Sequence, residues 1–160
     1  MTAVTDREPE LVEDSAVQLS RHYRGLFAWP TTIDTATGDV RLQLGDVVDA
    51  LFIRAGFASE VNHFLVMHVL RAPIIVVPGR PDDWIFLTKP RTAMRTPVWK
   101  DLVDIQVGWR KRGAAIPLSA LDREGDELRW FERPQHYLDL PLWTAVVGAA
   151  RAASNPSGRW

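Results

Sequence analysis

The sequence predicts an α+β domain in which a mixed sheet carries packed helices. Three observations point there. Short β-branched runs alternate along the chain with helix-length apolar patterns. Strong turn signals separate them, above all Pro78-Gly79-Arg80-Pro81-Asp82-Asp83. The length of 160 residues suits one domain, and a chain of that size hides roughly 70% of its unfolded surface. About seven strands and about four helices are expected, interleaved.

Residues 1–14 hold five acidic groups, one Arg and one Pro before any periodic pattern, which predicts a flexible acidic arm. The domain proper is expected over 15–153. Asp14 or Ser15 caps the first helix, and Val17, Leu19, Tyr23 and Leu26 mark its apolar face. Gly25 weakens its end and Trp29-Pro30 stops it. Thr31-Thr32-Ile33 then reads as a strand. After the Thr37-Gly38-Asp39 turn, Val40, Leu42 and Leu44 alternate with Arg41 and Gln43, so an early hairpin forms.

Gly45-Asp46 punctuates the chain before a strand over Val47 to Ile53, with Asp49 inside it. Ser59 is placed to cap a helix from Glu60 to Leu70. Ile74 to Val77 and Trp84 to Thr88 form a hairpin about the proline-rich turn. Thr96-Pro97 opens a short helix, Val98 to Leu102 or slightly beyond. Strands at Asp104 to Trp109 and Ala114 to Leu118 flank the basic turn Arg110-Lys111-Arg112-Gly113. Arg123-Glu124-Gly125-Asp126 is a further turn, followed by a strand at Leu128 to Phe131. Asp139 and Pro141 open a last helix reaching about Ala153, and 154–160 is a frayed tail.

Composition excludes several classes. The apolar and charged fractions, 46% and 24%, are those of an ordinary globular chain. With no Cys, a disulfide scaffold and a zinc–thiolate site are out. The polar start lacks the apolar core of a signal peptide, and the longest apolar run, Ala72 to Pro78, is too short to span a bilayer. A cytoplasmic protein with no membrane segment is therefore expected. No Gly-x-Gly-x-x-Gly, Walker or Gly-x-Ser-x-Gly motif occurs. His63 and His68 are five apart, about 140° around a helix, so the zinc-helix spacing is absent. His68 falls on the apolar stripe, where a core or interface role is expected.

Two patterns remain as candidate chemistry. Asp34, Asp39, Asp46 and Asp49 are dense over a short span, and paired carboxylates can hold magnesium. All but Asp49 sit beside turn signals, which makes turn and cap chemistry the simpler reading. The second pattern is basic. Between Arg71 and Arg112 there are nine basic and four acidic residues, while 113–140 carries six acidic and three basic. Lys89, Arg91, Arg95 and Lys100 flank Trp84 and Trp99, and Arg110, Lys111 and Arg112 follow Trp109. Cations for phosphates and rings for bases are what single-stranded nucleic acid needs. A solvated rim over a Trp-containing core is the alternative, and a net charge of −1 removes any bulk attraction for a polyanion.

The order of segments resembles the bifunctional DNA primase/polymerase N-terminal domain family, in particular its short, divergent actinobacterial members. The opening helix with Leu26-Phe27-Ala28-Trp29-Pro30 is similar to the family's helix and entry strand. Leu42-Gln43-Leu44-Gly45 and Val48 to Gly56 resemble its glycine turn and first catalytic strand. Trp84-Ile85-Phe86-Leu87 resembles the middle hairpin, and Gly113 to Leu118 the strand ending in Pro. Leu128 to Phe131 and Leu140-Pro141 resemble the closing strand and helix. The likeness covers roughly 15–153.

Active members end the first catalytic strand on Asp-x-Asp, where this chain has Phe52-Ile53-Arg54. Asp49 lies three residues earlier, on the other face of a strand. The family's hairpin His is missing from Trp84 to Thr88. The resemblance thus implies the fold without the polymerase chemistry. It implies a binding or regulatory module for single-stranded nucleic acid, a nucleotide or a protein partner. No metal or cofactor is expected. The residues for anion contact are Lys89, Arg91, Arg95, Arg110, Lys111 and Arg112, with Trp109, Trp84 and Trp99 as aromatic candidates.

Two alternatives stand beside this. One is a magnesium-dependent nucleotidyltransferase built on Asp34, Asp49 and Asp104. The other is a protein-interacting subunit that docks through Leu142, Trp143, Val146 and Val147.

Overall fold

The computed structural model describes residues 8–122 and 128–155. The start of the predicted acidic arm, the Arg123 to Asp126 turn and the last five residues of the predicted tail lie outside them. The described residues form an α+β fold of four α-helices, one 3-10 turn and eight strands in two antiparallel sheets.

Helix α1 (Glu8–Phe27) begins inside the stretch read as a flexible arm. Its buried face is Ala16, Ser20 and Tyr23, while Val17 and Leu26, both expected inside, are exposed. Spacings of four and three keep that face in line. A polar residue belongs to it because Ser20 Oγ and Thr31 Oγ1 share a 2.6 Å hydrogen bond.

Strands β1 (Thr31–Ile33), β2 (Val40–Gln43) and β7 (Ala115–Pro117) make a small sheet in the order β1-β2-β7. The predicted hairpin is thus present, and it recruits a strand from far along the chain.

The larger sheet has the order β6-β3-β5-β4-β8. Its strands are β3 (Asp49–Arg54), β4 (Ile74–Val77), β5 (Asp83–Thr88), β6 (Gly108–Trp109) and β8 (Arg129–Glu132). Helix α2 (Ala55–Met67) joins β3 to β4, and α3 (Thr96–Asp104) joins β5 to β6. Four of these strands, β3, β4, β5 and β6, therefore have the β-α-β-β-α-β connectivity of a ferredoxin-like unit, with β8 added at the edge.

Helix boundaries depart from expectation. Helix α2 follows β3 directly, with Arg54 as N-cap, so Ser59 is internal and its hydroxyl donates to the Gly56 carbonyl at 2.8 Å. Helix α3 takes in Thr96 and runs on to Asp104, which removes most of the strand expected from Asp104 to Trp109. Helix α4 (Trp143–Ala153) starts two residues after Pro141.

Both faces of the large sheet are covered, which is why its strands read as apolar runs. On β3, Leu51 and Ile53 face α2, α3 and α4, in a core with Phe86, Leu102 and Trp143. Ala50 and Phe52 face the other way, toward α1 and the small sheet, with Ile85, Leu87, Trp29 and Leu42. The apolar stripe of α4 belongs to the first core. Trp143, Val146 and Val147 are buried there, and of the docking face expected from the sequence only Leu142 is exposed. No described helix is long and apolar enough to cross a membrane.

Candidate functional site

The candidate carboxylates do not form a common site. Asp34 works in the β1–β2 turn, where Oδ1 accepts from the Ala36 N–H at 2.9 Å and Oδ2 pairs with Arg41 at 3.4 Å. Asp104 is the exposed last residue of α3. Asp49 is buried at the head of β3, on the same side of the strand as Leu51 and Ile53. Phe52 and Arg54 take the opposite side, as the three-residue offset requires. Among the described residues no three His, Asp or Glu side chains gather in a way that could hold a metal ion.

The Asp49 carboxylate has a different task. Oδ1 accepts from the Ala50 N–H and Oδ2 from the Arg91 N–H, both at 3.1 Å. A buried carboxylate with backbone donors on both oxygens is a strong, directional tie. It anchors the segment after β5 to the large sheet and so places Arg91.

Arg91 lies with its guanidinium carbon 5.7 Å from the centre of the Trp99 ring. Trp99, on α3, is tilted against Trp109, on β6, with centroids 4.7 Å apart. Trp109 pairs across the sheet with Leu51, so it faces the helix side, where α3 brings Trp99 to it. The two rings, Arg91, Thr92 and Ala93 line an open cleft of about 380 Å3. Arg95 is the N-cap of α3 and Lys100 follows Trp99, and both are exposed. This cleft can offer aromatic faces to a flat ring and the Arg91 cation to an adjoining anion.

The remaining basic candidates lie elsewhere. Arg110 covers the opposite face of β3, its guanidinium carbon 4.1 Å from the centre of the Phe52 ring. Arg112 pairs with Asp46. Lys111 is exposed between them. Lys89 belongs to a separate cleft near the end of α1. Trp84 packs on Phe131 with centroids 4.3 Å apart, away from the Trp99–Trp109 pair. His68, expected in the core or at an interface, is exposed and stacked on Phe64, with centroids 4.2 Å apart and Nδ1 2.8 Å from the Phe64 carbonyl.

The basic, aromatic run seen in the sequence is thus divided by the fold. Arg91, Trp99 and Trp109 come together, while Lys89, Arg110 and Arg112 do not join them. Sequence reasoning did not single out Thr92 or Ala93, and neither carries a chemical signal of its own.

Compared with protein-family models, curated proteins and solved structures, the chain matches none.

Proposed function

We propose that this protein is a non-catalytic, primase-polymerase-like domain that acts as a binding module for single-stranded nucleic acid. Its contact site is the Arg91–Trp99–Trp109 cleft. The observation that carries the reading is Arg91, tied through its backbone to the buried Asp49 and seated over Trp99 beside Trp109. A base stacks on the exposed part of the tryptophan pair, and Arg91, Arg95 and Lys100 meet the neighbouring phosphates. The opposite face of the sheet supports this choice of side. There α1 and the small sheet cover Ala50, Ile75, Ile85 and Leu87, so a broad stacking platform across the strands is closed.

The test is fluorescence anisotropy with a labelled single-stranded DNA across a salt series. Three phosphate contacts on a single strand predict a slope of about −2 in log K against log salt. Trp99→Ala removes one stacking partner and is expected to weaken binding by about 1–3 kcal/mol. Arg91→Ala flattens the salt slope. No binding at low salt, or binding that ignores both substitutions, overturns the reading.

A further inference from the structure

A second cleft, of about 400 Å3, shares no lining residue with the tryptophan cleft. Separate segments wall it: the last turn of α1, Val47 before β3, the Arg71–Pro73 link before β4, Lys89 after β5, and the end of β8 with the segment from Arg133 to Leu140 that follows it, Tyr137 excepted. It therefore sits at the end of the large sheet where β3 and β4 begin and β5 and β8 finish. Its volume lies in the usual range for small-molecule sites, about 300–1,000 Å3.

The lining has two characters. Leu26, Val47 and Leu138 are 47%, 41% and 46% exposed, so three large apolar side chains meet water in one concavity. Around them stand Arg71, Lys89 and Arg133, against Glu132 and Asp139. The formal balance here is positive, in a chain whose net charge is −1. Arg71 reaches Glu132 only at 3.8 Å. Lys89 forms no ion pair among the described residues, and its backbone is fixed by a 2.8 Å bond from its N–H to the Pro141 carbonyl.

We propose that this cleft binds a small organic anion, a phosphate or carboxylate head on an apolar body. The head meets Lys89 and Arg71, and the body lies on Leu26, Val47 and Leu138. The site is independent of the nucleic-acid reading, since no residue of the tryptophan cleft lines it.

Calorimetric and NMR titrations of the full chain with hexyl phosphate, hexanoate, inorganic phosphate and hexanol test it. Hexyl phosphate or hexanoate is expected to bind in the millimolar range or tighter, and whichever binds better identifies the head. Inorganic phosphate and hexanol should bind at least 5-fold more weakly (about 1 kcal/mol). Lys89→Ala, an exposed change that leaves the core untouched, and Leu138→Ser should each weaken the better ligand by a similar factor. Trp99→Ala should leave it unchanged. Three results overturn the proposal: no binding of either amphipathic anion, inorganic phosphate binding as well as hexyl phosphate, or full affinity in Lys89→Ala.

Discussion

Val69 occupies a position that glycine commonly takes. Helix α2 closes with the Leu70 N–H bonded to the Leu65 carbonyl and the Val69 N–H to the Val66 carbonyl, a Schellman cap. Val69 is left-handed, with φ 58, and 92% exposed. A β-branched side chain there is strained by roughly 1–2 kcal/mol, and glycine returns part of that as extra freedom in the unfolded chain. Val69→Gly is therefore expected to stabilise the protein by about 0.5–1 kcal/mol, read as a rise in melting temperature of a few degrees. A fall would show that the exposed valine makes a contact worth more than its strain. Helix α3 ends in the same way, with Gln106 at φ 60 and the Val107 N–H bonded to the Leu102 carbonyl. Ala28, at φ 54, follows α1. The end of α1 was marked by Trp29-Pro30, but those of α2 and α3 were hard to read in the sequence for a plain reason. The usual glycine signal is missing from all three, and Gly25, read as weakening the end of α1, lies within it two residues before Phe27. Asp49 was legible as an exception to turn chemistry, but its partner is a backbone N–H forty-two residues away, which no local pattern announces.

At the scale of elements, Gly45 shows how two links are fitted together. It stands between β2 and β3 with φ +116, and a Cβ added there would come 2.4 Å from Arg112 Cγ and 3.1 Å from Arg112 Cα. The close approach joins the β2–β3 link to the β6–β7 link, helped by the Gly113 N–H on the Leu44 carbonyl and the Arg112–Asp46 pair. Gly45→Ala is expected to cost about 2–4 kcal/mol, from strain at the positive φ and from a collision that displaces the Arg112 side chain and crowds its backbone. Urea unfolding checks this as a lower midpoint at an unchanged slope. Gly45 was readable as punctuation. That it abuts Arg112 was not, because the neighbour is distant in sequence. The strands show the same division. Ile74 to Val77 and Trp84 to Thr88 were readable as a hairpin because the turn between them is local. The pairing of β2 with β7 and of β3 with β6 depends on sheet order, and alternation alone carries no such information.

For the whole molecule, the large sheet is one layer shared by two cores. Phe86 and Leu87 are adjacent on β5, both fully buried, and they point into opposite cores. Truncating either to alanine is expected to cost about 2–5 kcal/mol. Because both cores hang on the same strands, each variant should still unfold in a single transition, coincident by near- and far-ultraviolet circular dichroism. A two-step melt in Leu87→Ala alone would mean that α1 and the small sheet are a separate unit. The α+β class was legible because it rests on the type and succession of elements. The division of the basic residues between the two faces of the sheet was not, since it follows from which strand lies beside which.

The small sheet also carries a consequence in time. Arg41 on β2 pairs with Pro117 on β7, 117 − 41 = 76 residues later. On a ribosome adding roughly 5–20 residues per second, the hairpin waits some 4–15 s for its third strand. Its Leu42 side, which ends fully buried, must be shielded during that interval by α1 and by β3, β4 and β5 as they emerge, or remain exposed to other chains.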